Sequence, residues 1–386
     1  MKNILLSSAA IALLAGAASA EVTWSGDAEI GYNDDYHDGT YYDVGLTIGM
    51  SQELNNGWTV SGSLDVDLTN GVDITDLDES SAYGQGVVET SDWVLTLSND
   101  MFTLSFGDVD TAYASFSGVS DLYDNDLFAP NDEAADYGDS SAGVLVSAEY
   151  GQFEAAVSFV VEDDGEGEDA TDGLGAVDTA DGDLDNAQVY LGADFGMMTA
   201  GVFYDDALGG DDDASLTALT LGGSFGGADI TFSVANVDDG TDDETGYGIE
   251  VSYPVGPVTL GAYYGSYDAG GDDDMYGVSV DYADGPITVA AYYEEVFGEE
   301  EYGIEGIYDF GMGLVVTAGY VDGDDIDDDD FAGYVVAEYD LGGGASFLAS
   351  YVDYTSYTGA ATDDMDTVGG GYELFAGATM ALSFEF

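Results

Sequence analysis

The feature that most constrains this chain is an alternation of apolar and polar residues that returns from one end to the other. Trp58, Val60 and Leu64 share one parity, and Asp65 and Asp67 take the other. The same period of two recurs at 22–30, 153–161 and 228–234. Because consecutive side chains of a strand point to opposite faces, each segment predicts a strand with one apolar and one wet face. After residue 20, no stretch approaches the 18 apolar residues of a membrane-spanning helix.

Two kinds of connection separate these segments. Nine short turns are predicted at 54–58, 98–102, 150–153, 195–198, 225–228, 253–258, 282–287, 308–314 and 339–345. Longer acidic connections, such as 162–175, alternate with them. Short turns at one rim and long loops at the other are typical of outer-membrane barrels. Nine turns predict ten hairpins and twenty strands, with sixteen or eighteen strands left open.

Aromatic residues bunch where a membrane barrel needs its two girdles. Seven precede short turns: Tyr150, Phe195, Phe225, Tyr253, Tyr282, Phe310 and Tyr339. Four lie near the far ends of strands: Phe159, Tyr204, Tyr264 and Tyr293. A soluble β-sandwich predicts no such bunching. Since lipid offers no hydrogen-bond partners, a sheet in a membrane must close on itself. We therefore predict an all-β fold, a closed antiparallel transmembrane β-barrel of 16–20 strands.

The charge of the chain is almost entirely negative. Asp and Glu number 80, and Lys2 is the single Lys or Arg. Nucleic acid is excluded as a partner because phosphate binding requires basic residues. Lys2 opens an apolar segment that ends in Ala-Ser-Ala, which predicts a cleaved signal peptide over 1–20. One barrel domain over 21–386 then remains, carrying all the acidic residues and no Lys or Arg.

The polar face of each strand is expected to line the lumen, because the apolar face meets lipid. Eleven carboxylates then lie on the lumen wall: Asp27, Glu29, Asp65, Asp67, Glu154, Asp194, Asp229, Glu250, Asp281, Asp309 and Glu338. Acidic rings select cations. The alternative interpretation is that these residues only keep the lumen wet. We favour cation selectivity because no basic residue offsets them.

The acidic loops and the lone histidine offer little specific chemistry. Runs at 209–213, 270–275 and 322–330 carry hard oxygen ligands suited to Ca²⁺ or Mg²⁺, but none has EF-hand spacing. We expect no required cofactor, with Ca²⁺ on these loops as an open alternative. His37 is the only histidine. A P-loop, a nucleophile elbow and zinc-ligand spacing are all lacking, so no enzyme is expected.

The longest connection that is not simply charged runs from about 109 to 141. It includes Tyr113, Phe116, Leu122 and Phe128, which makes it more apolar than the other loops. Loops of this length are more often functional or disordered than idle. Apolar content favours packing, and a loop packed inside a barrel would narrow the pore.

Five segments carry a resemblance to a known family. They are EVTWSGDAEIGY at 21–32, FGDVDTAYAS at 106–115, SDLYD at 120–124, YDLGGGAS at 339–346 and ALSFEF at 381–386. The chain resembles the general porins of alphaproteobacteria, notably the trimeric Rhodobacter porins. The last segment also resembles the terminal recognition signal of outer-membrane proteins, which ends on a Phe such as Phe386.

The resemblance implies that the third extracellular loop folds into the barrel and forms the pore constriction. Carried over by position, the constriction carboxylates are Asp108, Asp110, Asp121, Asp124, Asp126, Asp132, Glu133 and Asp136. The family sets basic residues on the wall opposite, and this chain has none to supply. It also has more short turns than the seven of a sixteen-stranded porin.

The resemblance and the residues together favour one function and leave two alternatives open. The favoured function is a water-filled, cation-preferring diffusion porin for small hydrophilic solutes, surrounded by outer-membrane lipid; the resemblance implies a homotrimer. The first alternative is an outer-membrane channel specific for a cationic or sugar solute. The second is a secreted, Ca²⁺-loaded adhesive or surface-layer β protein. The turn-side aromatics and the terminal Phe386 argue against this second alternative.

Overall fold

The computed structural model describes residues 20–34, 39–69, 87–89, 93–116, 118–119, 142–161, 184–207, 214–238, 243–267, 274–323, 332–353, 364–369 and 371–386. Most of them lie in β-strands, and one short 3-10 helix spans Ala112–Ser115. Within these ranges, no helix is long and apolar enough to cross a membrane.

The strands follow the alternating segments of the sequence. The first twelve are β1 (Glu21–Asn33), β2 (Gly39–Glu53), β3 (Thr59–Thr69), β4 (Val87–Glu89), β5 (Trp93–Ser98), β6 (Phe102–Gly107), β7 (Ala142–Tyr150), β8 (Phe153–Val161), β9 (Leu184–Asp194), β10 (Met198–Asp205), β11 (Ser215–Phe225) and β12 (Ala228–Asp238). The others are β13 (Asp243–Val255), β14 (Val258–Tyr267), β15 (Asp274–Asp284), β16 (Ile287–Val296), β17 (Glu299–Gly311), β18 (Leu314–Gly323), β19 (Ala332–Asp340), β20 (Ala345–Asp353), β21 (Asp364–Asp366), β22 (Glu373–Phe375) and β23 (Gly377–Glu385).

The sheet closes into a barrel. Each wall strand pairs antiparallel with the next along the chain, and β1 pairs with β23 at the seam. Strands β4 and β5 both pair with β3, so they form one interrupted wall strand. Strands β21 and β22 pair only with each other. The barrel therefore has twenty strands, which confirms the number predicted from the turns.

The two rims differ as expected. All nine predicted short turns lie at one rim, together with the start of β1 and the end of the chain. The first residue of several turns is a glycine with positive φ, such as Gly151 (66°) and Gly285 (62°), a conformation that glycine adopts without strain. The opposite rim carries the long connections. One exception is the two-residue turn between β16 and β17, formed by Phe297 and Gly298.

The outer face of the wall is apolar and the inner face is polar. Along β1, Trp24 and Ile30 point outward and are 49% and 56% exposed, whereas Asp27 and Glu29 take the other parity. All seven turn-side aromatics named above point outward, as a girdle requires. The seam closes at the turn rim, where Phe386 and Gly26 exchange backbone hydrogen bonds of 2.9 and 3.0 Å.

Candidate functional site: the pore lining

Strand register places all eleven predicted wall carboxylates on the inner face. Asp27 lies opposite Gly45, and Gly45 lies opposite Asp67 on the next strand. A side chain at Gly45 would meet Asp27 Oδ1 at 2.8 Å and Asp67 Oδ1 at 3.4 Å. The missing side chain of Gly45 therefore leaves room for two carboxylates to lean toward each other over β2. Their role in conduction stays a prediction.

The first three strands carry the densest acidic group of the described wall. We call Asp27, Glu29, Asp43, Asp65 and Asp67 the acidic patch, since all five share the inner face of β1–β3. Asp43 was not among the predicted wall residues, although it lies directly opposite Glu29. Asp27 and Asp43 are exposed, so water and ions in the lumen have access to them.

Tyrosine hydroxyls serve as hydrogen-bond donors to the inner carboxylates. Four of these bonds are 2.5–3.0 Å long: Tyr190 to Glu154 Oε1 (2.5 Å), Tyr263 to Glu294 Oε2 (3.0 Å), Tyr334 to Glu305 Oε2 (2.5 Å) and Tyr372 to Glu338 Oε2 (2.8 Å). Tyr292 donates in the same way to Glu301. Hydrogen bonds to an ionised acceptor are stronger than neutral ones. The phenols therefore supply hydrogen-bond donors to the carboxylates, as Lys and Arg would, but they add no positive charge.

Three of these acceptors, Glu294, Glu301 and Glu305, were not among the predicted wall carboxylates. Glu294 and Glu305 are each only 3% exposed. Both point into the lumen, since Glu294 lies opposite Glu301 and Glu305 lies opposite Gly319 on the inner face. The parity of their strands in the sequence could have predicted this orientation. Their tyrosine partners are separated from them by 31 and 29 residues, so the pairs become visible only once the register is known.

Three predicted wall carboxylates lie at the turn rim and also support the turns. Asp194 accepts from the backbone N–H of Gly196 at 2.6 Å, and Asp309 accepts from that of Gly311 at 2.7 Å. Asp229 accepts from the hydroxyl of Ser224. These three carboxylates therefore use part of their hydrogen-bonding capacity to stabilise the hairpin turns.

The start of the long third loop folds into the barrel, as predicted. Three inner side chains accept from its backbone: Ser158 from Ala112 (2.7 Å), Gln188 from Tyr113 (3.1 Å) and Ser233 from Val119 (2.9 Å). The Phe116 ring lies 5.8 Å from that of Phe203 and 6.4 Å from that of Tyr190. Residues 111–116 and 118–119, called segment 111–119 below, therefore follow the inner wall from β8 to β12.

Of the eight predicted constriction carboxylates, two lie in the described part of the chain. Asp108 and Asp110 are both exposed at the entrance to segment 111–119, and the Asp108 N–H donates to the Trp93 carbonyl at 2.9 Å. Asp121, Asp124, Asp126, Asp132, Glu133 and Asp136 lie outside the described residues, as do His37 and most of the acidic loops. Within the described ranges, no three or more His, Cys, Asp or Glu side chains gather closely enough to hold a metal ion.

A closed barrel with an apolar outer wall and a wet inner wall defines the class of outer-membrane channels. The sequence model of one family, the Gram-negative porins, matches residues 7–297, which is more than half of the chain. The chain belongs to the Gram-negative porin family. It is therefore a bacterial outer-membrane protein that forms a diffusion channel, and it is not an enzyme.

Solved structures similar to this chain include porins of one organism. A triple mutant of the Rhodopseudomonas blastica porin has 17% sequence identity and a TM-score of 0.48, covering 74% of this chain and 98% of its own. A tryptophan-bearing mutant of the Rh. blastica porin has 18% identity and a TM-score of 0.37, covering 95% of this chain and all of its own. Among curated proteins, no match is found.

Proposed function

We propose that this porin is a general diffusion channel for small hydrophilic solutes and that it prefers cations. One observation carries the preference: the inner wall presents carboxylates on strands around the barrel, and the chain after Lys2 has no Lys or Arg to offset them. A carboxylate about 7 Å from a cation in water contributes about 0.6 kcal/mol, or roughly a threefold local enrichment. Several such groups acting together favour cations over anions.

The resemblance to Rhodobacter-type porins supports further parts of the proposal. These are a homotrimer, removal of residues 1–20 during export to leave one barrel domain over 21–386, and a constriction formed by the acidic residues of the third loop. The channel needs no cofactor for diffusion. Ca²⁺ on the acidic loops would be an addition to this function rather than a requirement of it.

The use of the inner tyrosines favours a general channel over one specific for a sugar. A sugar-specific lumen presents aromatic faces and hydroxyls to its solute. Here Tyr190, Tyr263 and Tyr334 are each at most 6% exposed, and their hydroxyls donate to carboxylates of the wall. These three tyrosines therefore stabilise the wall and do not present their rings or hydroxyls to a solute.

Solute flux into proteoliposomes tests the proposal. Size-matched cationic, neutral and anionic solutes should enter in that order of rate, each in proportion to its concentration. Raising the salt from 0.1 M to 1 M should shrink the differences, because the screening length falls from about 10 Å to about 3 Å. Saturating flux of one solute would favour the specific channel, and faster entry of the anion would contradict the acidic lumen.

A further inference from the structure

A second segment folds inward, between β20 and β23 at the loop rim. Residues 364–369 and 371–376, called hairpin 364–376 below, contain strands β21 and β22, and Val368 and Leu374 pack on inward-facing residues of the wall. Val368 is 3% exposed and packs with Ala290 and Tyr292. Leu374 is 2% exposed and packs on Tyr334, Val336 and Val352. This hairpin therefore lies within the lumen, against β16–β20.

Polar contacts reinforce this packing. The Val368 N–H donates to the Tyr334 hydroxyl at 2.8 Å, and that hydroxyl donates to Glu305. Tyr372 donates to Glu338 at 2.8 Å. Burial, followed by the hydrogen bond and charge of Glu338, raises the pKa of Tyr372 to about 12.

The far end of the hairpin is tied to the barrel seam. The Asn33 amide donates to the Ala376 carbonyl at 2.8 Å and to the Thr379 hydroxyl at 2.9 Å. The Phe375 ring lies edge-on to that of Tyr41, with 5.8 Å between centroids. Contacts on β16–β20 and at β1–β2 therefore hold the segment along its length, which indicates a fixed element of the pore.

The two inward segments lie on different sectors of the wall. Segment 111–119 follows β8 to β12, and hairpin 364–376 lies on β16–β20. We propose that hairpin 364–376 is a second constriction element, which narrows the channel from a different sector of the wall than segment 111–119. This inference deepens the proposed diffusion function and rests on it. The size limit for solutes is then set by two elements.

The size of the expected effect follows from strand geometry. Paired strands lie about 4.8 Å apart and packed sheets about 10 Å apart, so a hairpin fills roughly 10 by 10 Å of the cross-section. In a twenty-stranded barrel already narrowed by one loop, this is a substantial share of the lumen. Adding bulk to the hairpin, or releasing the hairpin from the wall, should therefore change both the conductance and the polymer exclusion limit.

Thiol labelling on the hairpin provides the sharpest test. Gly371 is exposed, and a Cβ there would meet nothing within 4 Å. The chain has no cysteine, so labelling of Gly371→Cys is specific. Gly306→Cys is the matched control, because that Cβ is equally unobstructed but points outward from β17. Both variants are labelled in detergent with a bulky neutral thiol reagent, checked by mass, and recorded as single channels.

We expect the label to lower the conductance and the polymer exclusion limit of Gly371→Cys and to leave Gly306→Cys unchanged. Unchanged currents in fully labelled Gly371→Cys would overturn the proposal while the diffusion function stands. If the unmodified protein forms no channels, the diffusion function itself fails. The two failures are therefore distinguishable.

Loosening the hairpin provides the converse measurement. The pair Val368→Ala and Leu374→Ala removes its two buried apolar anchors, and Val335→Ala with Leu382→Ala removes the same atoms from the outer face. The inner pair should raise the conductance by roughly a fifth to a half and admit larger uncharged polymers, given the cross-section of a hairpin. Equal conductance in both pairs, with heat-modifiable migration confirming folded barrels, would contradict a constriction at the hairpin.

Discussion

Replacing Asp27, Asp43 and Asp67 by asparagine should lower the cation-over-anion permeability ratio roughly three- to twentyfold, since each carboxylate contributes about 0.6 kcal/mol at about 7 Å in water and the three together at most about 1.8 kcal/mol. All three belong to the acidic patch and share one face of three neighbouring strands. The chain after Lys2 has no Lys or Arg, so the charge of these carboxylates is not offset by either residue type. Reversal potentials of the variant and the unmodified protein, in the same salt gradient, measure the change.

A matched triple on the outer face separates pore charge from total charge. Asp274, Glu295 and Asp322 point outward near the loop rim, where they accept hydrogen bonds from tyrosines of the girdle. Replacing them by Asn, Gln and Asn removes the same number of charges and should leave the permeability ratio nearly unchanged. Equal shifts in the two triples would show that the acidic patch is not the selective part of the lumen.

Replacing Phe116 by alanine should release the third loop from the wall and raise the conductance, with larger open-channel noise. Phe116 is 9% exposed between Tyr190 and Phe203. Truncating a buried phenylalanine typically costs 3–5 kcal/mol. The three backbone hydrogen bonds of segment 111–119 contribute only about 1 kcal/mol each, so the ring is the main anchor. Single-channel recording and polymer exclusion measure the result.

Phe232→Ala is the control for this substitution, because Phe232 points outward from β12 and is 40% exposed. We expect its conductance to match that of the unmodified protein. If Phe116→Ala and Phe232→Ala conduct alike in barrels of equal thermal stability, then segment 111–119 does not limit the pore.

The fold was predictable because a period of two in the sequence indicates strands and leaves only two possible orientations for the faces of each strand. The face that carries most of the polar residues of a strand assigns the parity of the whole strand, so Asp65 and Asp67 place Trp58, Val60 and Leu64 outside. Glycines at two-residue turns mark the hairpin ends, and the strand number follows from them. The two-residue turn at Phe297 departs from the rim pattern, since it is as short as the turns of the opposite rim.

The inner contacts were harder to predict, because they depend on register and docking rather than on local pattern. The Tyr263–Glu294 pair requires knowing that β14, β15 and β16 are neighbours with fixed stagger. Hairpin 364–376 contains only three-residue strands, Asp364–Asp366 and Glu373–Phe375, which are too short for alternation to be visible. Its position follows from the packing of Val368 and Leu374 on inward-facing apolar residues of the wall.

The reversal potential of the unmodified channel tests the central claim most directly. In a planar bilayer with a KCl gradient, a lumen lined by carboxylates and without Lys or Arg should give a potential of the sign set by K⁺. The magnitude should fall as both solutions are made more concentrated, because salt screens the wall. A potential of zero, or one of the sign set by Cl⁻, would contradict the acidic pore.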